Sequence, residues 1–387
     1  MTTADRPRVL LGFDHFAKYS VGLAGGLAAR GCPVSLLCRT HDHEFGGEDG
    51  AMRAFVEQRL GDRTARAEID GRVRDLSALP TAWSARRTSR RFAPDVVHLQ
   101  DSVVDDVRVI AASPLARSRL VMTVHDPSPH PGDMVRSRWQ RALRSALIRR
   151  AALVFVHGDA LREELIEHER PHGAVAVVPH GVDDMSRAPL PEEPSLLFFG
   201  RLSFYKGLDT LLDAMPAVWT SAPSTRLVVA GSGPLPEHPV LADPRVTVRH
   251  EHVPEAEVPV LFARSTCLVL PYRQASQSGV GSLAKAHGRA IVATAVGGLP
   301  QLVTPEIGRL VPPEDPTALA GAVLEVVTDR GRADAMGEAA ARSGAGTSWT
   351  EVARLTLEAY GRHLDVGHPQ GDKSVQLSSS AITRRRA

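Results

Sequence analysis

Twice along this chain, short unbroken apolar runs alternate with amphipathic stretches. That rhythm restricts the fold more than any other feature of the sequence. The first series is RVLLGF (8–13), VSLLC (34–38), DVVHL (95–99), RLVMTV (119–124), ALVFV (152–156) and VAVVP (175–179). Each run is Val/Leu-rich and continuous, as in parallel strands covered on both faces. Helical patterns such as SVGLAGGLAARG (20–31) lie between them and stop at glycine.

The Pro- and acid-rich segment GVDDMSRAPLPEEP (181–194) interrupts the rhythm and reads as a linker. It then restarts with SLLFFG (195–200), RLVVAG (226–231), VTVRH (246–250), CLVLP (267–271), AIVAT (290–294) and GRLVP (308–312), with helices expected at 207–218, 255–264, 279–288, 316–327 and 333–343. The expected fold is α/β: two Rossmann-like, doubly wound parallel-sheet domains facing across a cleft. The first spans 1–182 and is separated by a linker at 183–194 from a second at 195–348. A well-patterned helix over 349–365 is free to pack back on the first domain, and a polar tail at 366–387 reads as disordered.

A length of 387 residues suits two domains, and the net charge of +2 suits neither a disordered nor a nucleic-acid-coating chain. Three cysteines without a C-x-x-C pair, no visible signal segment and no long uncharged apolar run point to a cytoplasmic protein. Among 46 basic residues only Lys18, Lys206, Lys285 and Lys373 are lysines. A lysine retained in so arginine-rich a chain suggests a compact point charge at work.

Two loops carry the expected chemistry. In LLFFGRLSFYKGLDTLLDAMP (196–216) a strand ends at Gly200, Arg201 and Lys206 follow, and a helix starts near Gly207. Two cations beside a helix N-terminus make a diphosphate site, although alone they read as solvated surface charges. In YRQASQSGVGSLAKAHG (272–288), Ser278, Gly279, Val280 and Gly281 open a helix whose free N–H groups suit a phosphate or a sugar hydroxyl. Alone, this too would be a plain Gly/Ser turn. Gln277 and Lys285 lie about 12 Å apart along that helix, roughly the span from sugar to ribose in a nucleotide sugar.

FGRLSFYKGLDTLLDAM, VVAGSGP (228–234, with Gly231), VPEAEVPVLFARSTCLVLPY (253–272) and AIVATAVGGLPQLV (290–303) resemble the C-terminal half of family 4 glycosyltransferases. PDVVHLQD (94–101), MTVHD (122–126) and VVPHGVD (177–183) are similar to its N-terminal half. The resemblance spans about residues 8 to 362 and implies the GT-B fold and a retaining enzyme with a nucleotide-sugar donor, UDP or GDP type, and no further cofactor or metal. It implies that Arg201 and Lys206 hold the donor diphosphate and that His125 and Gln277 meet the donor sugar. Gly200, Gly231, Ser278, Gly279, Val280, Gly281 and Lys285 would complete the donor site.

The resemblance has departures. Where the family commonly carries Glu-x7-Glu, this chain has Gln277 and Lys285. Gln both donates to and accepts from sugar hydroxyls, whereas Lys only donates. Paired glycines after the first strand are replaced by GFDHFAKYS (12–20). Asp14, His15, Lys18 and Tyr19 there, with His130 and Asp133 in the stiff loop HDPSPHPGD (125–133), are candidates for the acceptor side, or for ordinary helix-start and loop residues.

The basic pattern RSRWQRALRSALIRRAALVFV (136–156) places Trp139, Leu143, Ala146 and Leu147 on one face. It suits either peripheral membrane contact through 136–150 or a domain helix with that face buried. His98, His157 and His180 sit at strand ends without metal-ligand spacing, and His98 and His180 read as cleft-shaping. Nucleic acid is not an expected partner. A Rossmann oxidoreductase would need G-x-G-x-x-G after the first strand, which is missing. A sugar-nucleotide binder without transfer remains the main alternative to a transferase.

Overall fold

The computed structural model of the chain describes residues 6–39, 45, 50–61, 64–69, 79–101, 107–116, 118–127, 137–183, 185, 187–275 and 278–364. Within them lie two wholly parallel sheets. The first holds β1 (Val9–Phe13), β2 (Val34–Arg39), β3 (Ala65–Ile69), β4 (Val96–Gln100), β5 (Arg119–Thr123), β6 (Leu153–Val156) and β7 (Ala174–Val177), in the spatial order β3-β2-β1-β4-β5-β6-β7. Its helices are α1 (Ala17–Ala29), α2 (Ala51–Leu60), α3 (Leu79–Phe92), α4 (Val107–Ala112), α5 (Arg138–Arg150) and α6 (Asp159–Glu169). Alternation along β1 sorts its side chains: Val9, Leu11 and Phe13 join the core under α1, whereas Leu10 joins the core under α3 to α6.

The second sheet holds β8 (Ser195–Phe199), β9 (Arg226–Ala230), β10 (Val246–Arg249), β11 (Cys267–Leu270), β12 (Ala290–Thr294) and β13 (Gly308–Val311), in the order β10-β9-β8-β11-β12-β13. Its helices are α7 (Leu208–Ser221), α8 (Val258–Ala263), α9 (Gly279–Ala286), α10 (Leu299–Leu302), α11 (Pro316–Val327) and α12 (Arg330–Ala345). Both sheets start in the middle, wind to one edge and return to the other side. This creates switch points at β1/β4 and β8/β11, the places where such sheets bind ligands.

The last helix, α13 (Trp349–His363), belongs to the first core: Val352, Ala353, Ala359 and Tyr360 are buried among α1 and β1 residues. Two glycines make room for it. A Cβ on Gly22 or Gly181 would stand 2.1 or 2.2 Å from the Trp349 ring. The chain therefore passes between the halves twice, and the two passes touch. Val182 N donates to Thr347 O (3.0 Å) and Trp349 N to Val182 O (3.2 Å).

The structure corrects several expectations. β3 is a strand that the periodicity does not announce. ARAEI is charged at alternate positions because it lies on the sheet's edge, with only Ala67 and Ile69 buried. The helix expected at 255–264 is a 3₁₀ turn, Glu255–Glu257, followed by α8, whose start coincides with Pro259. On α5, Ser137 and Gln140 form a capping box, but the buried face is Arg144, Leu147 and Ile148, and Trp139 and Ala146 are exposed. Arg144 is no surface cation. It pairs with Asp101 (2.9 Å) and Glu169 (2.9 Å) and donates to the carbonyls of Asp126 and Pro127. No helix among the described residues is long and apolar enough to cross a membrane. The tail at 366–387 lies outside the described residues.

Candidate functional site

The carboxyl edge of the second sheet is built to bring three backbone segments close together. Gly231, just past β9, has φ +153°, and a Cβ there would stand 1.9 Å from Gly200 O, just past β8. Any larger residue would push the two strand ends apart. After Gly200 the chain makes a 3₁₀ turn at Phe204–Lys206, and Gly207 (φ 66°) turns it into α7.

Lys206 ends up 7% exposed. Its Nζ lies 2.9 Å from the position of a Cβ on Gly200, and Val280 of α9 lies 3.3 Å from the same point. The ammonium also faces the Tyr272 ring at 5.4 Å. Burial pushes its pKa down; Tyr205 works against the shift and nearby Arg201 adds to it, and among the described residues no carboxylate is a counter-charge to it. A buried cation without a counter-charge is costly unless a ligand supplies one.

α9 contributes the other wall. Ser278 caps it, accepting from Gly281 N at 3.1 Å, and hydrogen-bonds the Tyr272 hydroxyl. Burial pushes the Tyr272 phenol up to about 12, so it stays neutral. The remaining free N–H groups at this end carry partial positive charge. Lys285, six residues into the helix, is 9% exposed. Burial alone pushes its pKa down, and among the described residues no acid faces it.

The cationic loop is held from behind by Arg273, which the sequence did not single out. Its guanidinium donates to Asp209 (2.6 Å), Glu314 (2.9 Å) and the Phe204 carbonyl (2.8 Å), and its backbone N–H donates to Tyr205 O (2.7 Å). Asp209 stands in the first turn of α7, so one arginine fixes both the 3₁₀ turn and the helix that follows it.

The facing edge of the first sheet is different in kind. Strand register places Gln100 beside Thr123 and carries His125 beside His157. His157 Nδ1 lies 3.2 Å from Val178 O, so it must donate. His157 Nε2 then accepts from His125 Nδ1 at 3.1 Å, which leaves His125 Nε2 a bare acceptor facing the Gln100 amide at 2.8 Å. Gln100 therefore presents its NH2 there; in the opposite orientation that group is buried without an acceptor. The chain is complete with every imidazole neutral. Burial pushes His157 down to about 3 and His125 well below its ordinary range.

Several expected acceptor residues have other work. Tyr19 is buried against His125, His157, His180 and Trp349 and bonds Thr123, so it is a core residue and not a surface contact. Asp14 is buried and accepts from His15 N at 2.9 Å. Lys18 forms an ion pair with Glu255 of the other half, spanning the cleft. His125 is stacked on Phe16 with both ring nitrogens engaged, so a sugar would reach the ring only by exchanging partners.

His98 does not shape the cleft. It is buried between Tyr360 OH (2.7 Å) and Thr123 Oγ1 (2.7 Å), fastening α13 to the sheet. His180 does reach the other half, 3.5 Å from a Cβ position on Gly279. Gln277, His130 and Asp133 lie outside the described residues. Among the described residues no cluster of three or more His, Cys, Asp or Glu side chains could hold a metal ion.

A family model described as Glycosyltransferase Family 4 matches residues 17–185, and one described as Glycosyl transferases group 1 matches residues 193–329. A glycogen synthase of Mycobacterium tuberculosis is 29% identical over 293 residues, 70% of each chain. A D-inositol 3-phosphate glycosyltransferase of Kineococcus radiotolerans is 28% identical over 390 residues, 89% of each. Sucrose-phosphate synthase from Thermosynechococcus elongatus superposes with TM-score 0.70 at 20% identity, over 92% of this chain and 98% of that one. Anabaena HepE, solved with UDP-glucose, gives TM-score 0.70 at 19% identity over 92% and 100%.

Proposed function

We propose that this chain, a glycosyltransferase of the GT-B fold, moves a sugar from a nucleotide-diphosphate donor to an acceptor hydroxyl with retention of anomeric configuration. The observation that carries this reading is the Lys206 ammonium, buried between Gly200 and the start of α9 with no carboxylate counter-charge among the described residues. A diphosphate supplies the missing charge. Arg201 and Lys206, with the N–H groups of Gly279 and Val280, stabilise the charge that builds on the leaving phosphate. The acceptor oxygen bonds to the anomeric carbon on the face from which the phosphate oxygen leaves. That phosphate oxygen takes the hydroxyl proton, so neither a carboxylate base nor a metal is required.

Incubation of the purified protein with UDP- and GDP-sugars tests the reading: nucleoside diphosphate should be released, and the product should keep the donor's anomeric configuration by NMR. An inverted product removes the retaining mechanism. Thermal-shift measurements with UDP, GDP, ADP and dTDP should single out one nucleotide by its stabilisation. Lys285→Glu should change that preference or the donor KM; no change in either places Lys285 outside the donor site. Lys285, a buried donor-only side chain, also favours a second reading, a sugar-nucleotide binder without transfer. Tight nucleotide binding with no turnover on any acceptor selects that alternative.

A further inference from the structure

Helices α3, α4 and α5 share one face of the first sheet, over the core formed by Leu10, Leu37, Val97, Leu99 and Met122. Each follows a strand and runs back along it, so their first turns gather at the sheet's carboxyl edge. Each of these starts leaves a large apolar side chain in solvent. Leu79 and Trp83 of α3 are 56% and 69% exposed, Val107 of α4 is 40% and Trp139 of α5 is 55%. The chain has four tryptophans; Trp219 is buried and Trp349 packs on α1, so the exposed pair both sit on this rim.

Among the described residues, α3 and α5 carry charge of one sign along their length. Arg86, Arg87, Arg90 and Arg91 lie on α3 and Arg138 and Arg141 on α5, and neither helix contains an Asp or Glu. Several surface arginines elsewhere are paired, among them Arg245 with Asp243, Arg273 with Asp209, Arg309 with Glu325 and Arg354 with Glu351. Among the described residues, no acid meets Arg87, Arg90, Arg91 or Arg138. Arg86 donates to Ala111 O and so locks α3 to α4, making a fixed platform of the two.

We propose that this rim is a docking surface for an anionic lipid bilayer. The indoles lie at the headgroup level, Leu79 and Val107 enter the acyl boundary, and the guanidinium groups meet lipid phosphates. Exposed aliphatic side chains distinguish this partner from a nucleic acid, whose backbone offers Leu79 and Val107 nothing to bury against. The proposal stands on the surface alone and is independent of the donor chemistry.

The test uses the full chain and vesicles of phosphatidylcholine with or without phosphatidylglycerol. The protein should co-sediment only with the anionic vesicles, be released by high salt, and shift its tryptophan emission to the blue on binding. The double variant Trp83→Ala/Trp139→Ala should partition at least about tenfold less and lose the blue shift. Its melting temperature should stay unchanged, because both side chains are exposed. Arg87→Gln/Arg90→Gln/Arg91→Gln should weaken binding to anionic vesicles alone. Failure to sediment with either vesicle overturns the proposal. So does a double variant that partitions like the parent, or a duplex oligonucleotide bound in preference to vesicles. A dimer that dissociates on tryptophan substitution while vesicles are ignored would assign the rim to a second copy of the chain instead.

Discussion

The two sheets share a topology, yet the edges they turn toward each other obey opposite electrostatics. On the first, Gln100, His125, His157 and Val178 form a closed chain of hydrogen bonds among neutral groups. On the second, Lys206 and Lys285 are buried with no opposing carboxylate among the described residues. One edge satisfies itself, and the other, on the proposed reading, is completed by a bound diphosphate. Folding stability is therefore expected to reside in the first edge and ligand affinity in the second.

Acid should break that contrast most. Burial holds His98 and His157 at about 3 and His125 in the same direction, all below the value of about 6.5 in an unfolded chain. Between those values the unfolded state binds protons that the folded state refuses. The stabilisation is thus whole above about pH 6.5 and is lost as pH falls. At about pH 5 each such imidazole costs about 2 kcal/mol. Urea unfolding at neutral and mildly acid pH should show the first half melting earlier in acid; equal midpoints would remove the neutral-imidazole reading.

The opposite edge should respond in rate rather than stability. Arg201→Ala and Lys206→Ala are each expected to lower kcat/KM by about 100-fold or more, the usual loss on deleting a preorganised charge stabiliser. For Lys206→Ala the melting temperature of the unliganded protein should not fall, since an uncompensated buried charge is removed. Unchanged turnover in both variants removes the diphosphate assignment. A smaller effect is expected for Tyr360→Phe, which strips His98 Nδ1 of its partner and should cost about 1–3 kcal/mol with no change in nucleotide affinity. The smallest belongs to the one ion pair described between the edges, Lys18–Glu255. About a third of each side chain is exposed, so a double-mutant cycle with Lys18→Gln and Glu255→Gln should give a coupling below about 1 kcal/mol. A larger value would mean that the halves are held together by charge.

What was legible in the sequence follows from the same physics. Strands buried on both faces, such as β1 and β4, announce themselves as unbroken apolar runs, whereas β3 has one neighbour and keeps its charges. Lys206 was visible because lysine is rare in this chain and a glycine turn follows it. Arg273 was not, because its partners Asp209 and Glu314 lie 64 and 41 residues away and only folding brings them together. Tyr19 and His98 misled for the opposite reason. Polar residues in or just after a strand suggest a cleft, but α13 covers both, and Tyr360 lies 262 residues beyond His98.

That covering helix has a consequence for biosynthesis. A ribosome makes the first half early, but the surface that α13 shields, including the Gly22 notch filled by Trp349, stays bare until nearly all of the second half has been made. The part of the molecule born first is finished last. A nascent chain thus carries an open apolar face throughout most of its elongation, and truncation before Trp349 would cripple the half farthest from the cut.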